Sequence, residues 1–67
     1  MELHIRTDAS NVLALQKEII CHGISIAYVR PFENDQVEFV FLAISEHQKK
    51  LLSYTLRNYS YALTYLA

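Results

Sequence analysis

The apolar residues of this chain change their spacing several times, and this change constrains the order of secondary structure more than any other feature. Residues 2–6 alternate between apolar and polar side chains, as a half-buried strand does. Residues 12–20 place apolar side chains on one helical face, and residues 24–29 and 37–44 return to strand-like patterns. A second helical spacing begins at Leu51. The predicted order is strand–helix–strand–strand–helix in a single domain, residues 1–67.

Residues with known preferences at turns and helix ends support these boundaries. Gly23, the only glycine, suits the left-handed position after a helix. Residues 45–48 have the Ser-x-x-Gln form of a capping box, which predicts a helix start at this point. Residues 7–10 offer side-chain oxygens that can cap the first helix. Pro31 either ends the second strand or places it at a sheet edge, because proline cannot donate to a ladder.

The last residues fit two structures. Tyr59, Tyr61, Leu63 and Tyr65 alternate with smaller or polar residues, which favours a fourth strand. The spacing of Leu52, Leu56, Tyr59, Leu63 and Leu66 also fits a continuing helix. We predict the strand, because aromatic residues fit a pleated surface and Asn58 can end a helix.

With that last strand the chain becomes βαββαβ, the ferredoxin-like α+β arrangement. In this arrangement an antiparallel sheet of order 4-1-3-2 carries two helices on one face. Five side chains are predicted to face the helices: Leu3, Ile5, Ile24, Ile26 and Tyr28. The open face then takes His4, Arg6, Ser25, Ala27 and Val29, with either Phe39 and Phe41 or Val40 and Leu42.

The hydrophobic content of this chain is high for its length, which predicts a partner. The chain has 67 residues, of which 52% are hydrophobic, and a domain of this size has a marginal core of its own. Cys21 is the only cysteine, so no internal disulfide can stabilise the fold. We expect a homo-oligomer, most simply a dimer, or a complex with a larger protein. The interface is predicted at Ala27, Val29, Val40, Tyr61 and Tyr65, on a partly apolar open face and a sheet edge.

Charge and hydropathy exclude several other partners. Six basic and seven acidic residues give a formal net charge of −1, which argues against a nucleic-acid-binding surface. The same balance gives no attraction to an anionic membrane, and no apolar run approaches the roughly 20 residues of a membrane span. The alternating start lacks a signal-peptide layout, and a free cysteine is typical of the cytoplasm. A cytoplasmic location is therefore expected.

No pattern of catalytic or metal-binding residues stands out. Cys21 and His22 are adjacent in a predicted helix, where neighbouring side chains point about 100° apart, and no orienting acid accompanies them. The three histidines lack metal-ligand spacing. We therefore predict no enzyme activity, metal or cofactor. The loop Asp8, Ala9, Ser10 and Asn11 fits either ordinary helix capping or a small-ligand site at a helix N-terminus.

The stretch from Asp8 to Ile26 resembles an ACT domain, the ferredoxin-like module that senses amino acids in metabolic enzymes. Asp8, the pair Val12-Leu13 and the run Gly23-Ile24-Ser25-Ile26 stand where ACT sequences have their typical residues. The usual first-turn glycine, which lets an effector approach the backbone, is replaced near Asn11. The resemblance thus implies a regulatory or association module, similar to the short regulatory subunits of acetohydroxyacid synthase. Amino-acid sensing at residues 8–11 and inhibition of a target by strand addition are its alternatives.

Overall fold

The chain forms four strands and two helices in the computed structural model, which describes residues 2–59 and 61–66, with the side chains of 2–59 and of Tyr61. The elements in order are β1 (Glu2–Asp8), α1 (Val12–Cys21), β2 (Tyr28–Phe32), β3 (Gln36–Phe41), α2 (Glu46–Thr55) and β4 (Tyr61–Leu66). The strands form one antiparallel sheet in the order β2-β3-β1-β4. The α+β class is confirmed, and β4 is a strand rather than a continuation of α2.

Both helices pack on the same face of the sheet. The central strands supply two partnered pairs to this face, Leu3 with Phe41 and Ile5 with Phe39. The helices cover them with Leu15, Ile19 and Leu52, and the 3-10 turn after α2 adds Leu56; all eight side chains are almost completely buried. Burying a side chain of this size contributes about 1.5–3 kcal/mol, so this layer is the main source of stability.

The predicted end of α1 and start of α2 are confirmed. Gly23 has φ +74°, and its N–H donates to the carbonyl of Ile20 at 2.9 Å, while the N–H of Ile24 donates to Ile19 at 3.3 Å. These two bonds make a Schellman motif. At α2 the Ser45 hydroxyl accepts from the N–H of Gln48, and the Gln48 side chain accepts from the N–H of Ser45, both at 3.1 Å.

The start of α1 differs from the prediction. A 3-10 turn at Ala9–Asn11 precedes the helix, and neither Asp8 nor Asn11, which hold the two N-cap positions, caps through its side chain. Other groups take over that role: the N–H of Ala9 donates to the carbonyl of Asp35 at 2.9 Å. The Asn11 amide donates to the Thr7 hydroxyl at 3.2 Å. Helix capping by the oxygens of this loop was therefore a wrong prediction at Asp8 and Asn11.

The second and third strands are displaced from their predicted bounds. β2 starts at Tyr28 instead of Ile24 and continues through Pro31, which is tolerated because β2 is an edge strand. β3 ends at Phe41, before the exposed Leu42. Between β2 and β3 the chain turns through Asn34 and Asp35, whose φ angles of 57° and 59° are those of a type I′ turn.

A β-bulge explains why the side-chain faces of the second strand were predicted incorrectly. The N–H of Ala27 donates to the carbonyl of Val40 at 2.9 Å, and Tyr28 is also the register partner of Val40. Two residues opposite one make a bulge, which shifts the in–out alternation by one residue. Ile24 therefore lies in the core as predicted, but Tyr28 lies on the open face and Val29 on the helix side, opposite Phe39.

Candidate functional site

The most unusual feature of the open sheet face is a buried acid between two arginines. Register partners on β1, β3 and β2 bring Arg6, Glu38 and Arg30 into one row across the sheet. Glu38 has no exposed surface, whereas the side chains of Arg6 and Arg30 are 33% and 50% exposed. We call these three residues, together with Glu2 and His4, the Glu38 cluster.

Every oxygen of the Glu38 carboxylate has a partner. Oε1 accepts from Arg30 Nε at 2.6 Å and lies 2.5 Å from Arg30 Nη2, while Oε2 accepts from Arg6 Nε at 3.0 Å. The His4 ring lies between two acids, with Nδ1 3.3 Å from Glu38 Oε1 and Nε2 2.6 Å from Glu2 Oε2.

These contacts keep the acid ionised despite its burial. Burial alone raises the pKa of Glu38, but hydrogen bonds from Arg6, Arg30 and His4 lower the pKa below its ordinary value of 4.5. Two arginines, Arg6 and Arg30, balance the two glutamates of the cluster. The cluster therefore holds three strands together and lacks the excess positive charge that would attract phosphate.

The arginines also cover aromatic rings on the same face. The Arg6 guanidinium lies 4.0 Å from the ring centroid of Phe32, and that of Arg30 lies 5.9 Å from the ring of Tyr28. Val40, which was predicted to lie at an interface, has no exposed surface. Among the described residues the open face thus carries charged side chains beside aromatic rings.

Three other predicted interface residues, Ala27, Val29 and Tyr61, are exposed, but the predicted residues do not come together. Ala27 and Val29 lie in or beside β2, and Tyr61 and Tyr65 lie in β4, at the opposite edge of the sheet. Val29 is 38% and Tyr61 43% exposed. The side chain of Tyr65 lies outside the described part of the chain. The sheet therefore offers two separate edges in place of one interface.

The predicted ligand loop is at the surface, and several of its polar groups are already bonded. Asp8, Ala9 and Ser10 are exposed, and Asn11 is half-buried. The N–H of Ala9 is occupied by Asp35, and the amide of Asn11 by Thr7. An anion at this helix start would have to compete with those bonds, and amino-acid binding here stays a prediction.

A groove of about 310 Å³ lies between the C-terminal halves of the two helices. Its lining contains Lys17, Glu18, Cys21, His22, Tyr54, Thr55 and Asn58. Glu18 is held by the Tyr59 hydroxyl, whose pKa is raised by burial and by this hydrogen bond. The Thr55 hydroxyl oxygen is buried and has no hydrogen-bond partner in the described part of the chain. Among those same residues, no three acids, histidines or cysteines are arranged to hold a metal ion.

The Glu38 cluster was not predicted, although one signal for it exists. Glu38 is a single acid inside a strand of apolar residues, and a buried acid requires a cationic partner. Its partners are 32 and 8 residues away along the chain, so they become visible only once the strand register is known.

Comparison with known proteins does not assign the chain to a family. No family model matches it, and neither the curated proteins nor the solved structures include a match. Within residues 2–59 and 61–66, no helix has both the length and the apolar character needed to cross a membrane.

Proposed function

We propose that this chain is a non-catalytic, ACT-like regulatory or association module, which forms a dimer and acts by contacting a larger protein. The single observation that carries the proposal is an apolar strip on the outside of α1. Leu13 is 82% and Ile20 58% exposed, and residues seven apart lie on the same helical face. Large apolar side chains exposed together on a small domain mark a surface for association.

The strip continues into a depression beside α1. A groove of about 580 Å³ runs between α1 and the chain leading into β2, with Ile20, Ile26, Tyr28 and Val29 in its lining. Tyr28 is 46% exposed, and aromatic side chains are enriched at protein interfaces. A partner's apolar side chains would fill this groove and cover the helix strip in one contact.

The topology supports the same proposal at the level of the fold. The strand order β2-β3-β1-β4, with both helices on one face, agrees with a ferredoxin-like arrangement, the architecture that the ACT resemblance implies. The fold does not specify a function by itself, so the exposed strip remains the main support.

Charge placed on the strip tests the proposal. We expect Leu13→Glu and Ile20→Glu to abolish capture of a partner protein from native lysate, because a carboxylate would have to be buried in the contact. Both side chains are exposed, so the urea unfolding midpoint should change little. Ser53→Glu, on the exposed face of α2, is the matched control and should capture as the unmodified chain does.

Two results contradict the proposal. One is an unmodified chain that sediments as a monomer at all micromolar concentrations and captures no protein in stoichiometric amount. The other is a Leu13→Glu variant that captures its partner as well as Ser53→Glu does, since the contact would then lie elsewhere.

A further inference from the structure

The two edges of the sheet differ in how well they can accept another strand. At the β2 edge, Pro31 has no N–H to donate, and the Ala27–Tyr28 bulge interrupts the regular backbone. Both features are ones that proteins use to prevent edge-to-edge pairing. The β4 edge has neither: its sequence, Tyr-Ala-Leu-Thr-Tyr-Leu, contains no proline, glycine or charge.

The direction of the backbone groups follows from the alternation of ladder bonds across each strand. The Val40 carbonyl points toward β2, because it accepts from Ala27. The N–H and carbonyl groups of its neighbours Phe39 and Phe41 therefore point toward β1, where their register partners are Ile5 and Leu3. On β2, Val29 faces Phe39 and so directs its own N–H and carbonyl away from the sheet.

The same alternation continues to β4. Since Leu3 and Ile5 bond to β3, the residues between and beside them bond to β4: Glu2, His4 and Arg6. Their register partners on β4 are Leu66, Thr64 and Ala62. The remaining residues of β4, namely Tyr61, Leu63 and Tyr65, direct their N–H and carbonyl groups away from β1. No further strand pairs with them in the described part of the chain.

We propose that β4 pairs with β4 of a second copy of this chain, antiparallel and about a two-fold axis at Leu63. This inference rests on the proposed function, because it names the surface through which the module dimerises. In this register, Leu63 lies opposite Leu63 of the second copy, and Tyr61 lies opposite Tyr65. Each of these pairs exchanges two backbone hydrogen bonds, and one sheet runs through both copies.

A second copy is the occupant that the edge fits best. An antiparallel pairing about a two-fold axis is self-complementary, so every outward donor meets an acceptor of the same strand. Because β4 contains no charge, no like charges come to lie opposite each other in any antiparallel register. At the β2 edge the outward residues are Val29 and Pro31. Only Val29 offers an N–H there, because proline has none.

Hydrogen exchange of the unmodified protein tests the pairing without altering the chain. The amides of Tyr61, Leu63 and Tyr65 should exchange about tenfold or more slowly in concentrated, dimeric solution than in dilute solution. The Val29 amide should exchange at the same rate in both. Slowing at Val29 instead, or slowing at neither edge in a solution that sediments as dimers, overturns the inference.

Two matched chemical variants provide a second test. The chain can be assembled by ligation at Cys21 with an N-methyl group on the backbone nitrogen of Val29 or of Leu63. Both nitrogens point outward, one at each edge, so neither change removes a bond within the sheet. We expect methylation at Leu63 to weaken dimerisation about tenfold or more, and methylation at Val29 to leave it unchanged.

The outcomes separate this inference from the proposed function. A dimer weakened only by methylation at Val29, or by neither change, overturns pairing through β4. An unmodified chain that stays monomeric also overturns it, whereas capture of a larger protein through the α1 strip would still support the association module.

Discussion

Replacing Glu38 with glutamine removes the negative charge that two arginines share and preserves the shape of the side chain. Losing one partner of a fully buried ion pair costs about 3–5 kcal/mol. Here Arg6 and Arg30 remain 33% and 50% exposed, so water can compensate for part of the loss. We therefore expect the free energy of unfolding to fall by about 2 kcal/mol.

A loss of that size is large for this protein. A domain of 67 residues is stable by about 3–10 kcal/mol. With a urea dependence near 1 kcal/mol/M for so small a domain, the midpoint of unfolding, followed by circular dichroism at pH 7, should fall by about 2 M.

Glu33→Gln is the matched control, because Glu33 is exposed in the turn before β3. Its unfolding free energy should stay within about 0.5 kcal/mol of the unmodified chain. If Glu38→Gln is no less stable than Glu33→Gln, the carboxylate is not held in the paired, ionised state described above, and the reasoning fails.

Three further predictions use the same urea assay. Because the folded-state pKa of Glu38 is lowered, the contribution of Glu38 to stability is complete above the ordinary value of 4.5 and is lost as pH falls through the folded pKa. The difference in unfolding free energy between the unmodified chain and Glu38→Gln should therefore shrink only in acid. An unchanged difference at pH 2 contradicts this expectation. Thr55→Val should stabilise the chain by about 1 kcal/mol, because it removes a buried hydroxyl without a partner, whereas Thr55→Ala should destabilise it; a destabilised valine variant would mean that the hydroxyl is bonded. Because Asp35 has φ 59°, Asp35→Gly should make the chain more stable, and Asp35→Ala should lower its unfolding free energy by about 1 kcal/mol. Equal unfolding midpoints for the two variants would argue against the type I′ turn.

The features that the sequence predicts correctly are those encoded by neighbouring residues. The Ser45–Gln48 capping box and the glycine after α1 depend on bonds that span a few positions, and hydrophobic spacing identifies the helix faces at Leu15 and Ile19. The bulge at Ala27 is different, because an extra residue in a strand leaves no local signature and appears only when β3 is placed beside it. Val29 and Tyr61 of the predicted interface are both exposed, but they lie at opposite edges of the sheet. That separation depends on the strand order.

The candidate site shows the same division between local and distant information. Arg6 and His4 were placed on the open face from alternation alone, and their register partners on β3, Glu38 and Val40, confirm that placement. The sequence does not show that Glu38 draws arginines from two different strands over that face.

The proline and bulge of β2 also limit how large an assembly this sheet can build. If both edge strands of a sheet accept a neighbour, copies can add without end, which is the geometry of a filament. Here one edge is obstructed by Pro31 and by the Ala27–Tyr28 bulge, so pairing at β4 leaves only obstructed edges at the two ends of the joined sheet. Growth by strand addition would therefore stop at the dimer. The uncharged strand β4 would then be exposed on the monomer without leading to a fibre. Replacing Pro31 would remove part of that protection, even though the residue lies far from β4.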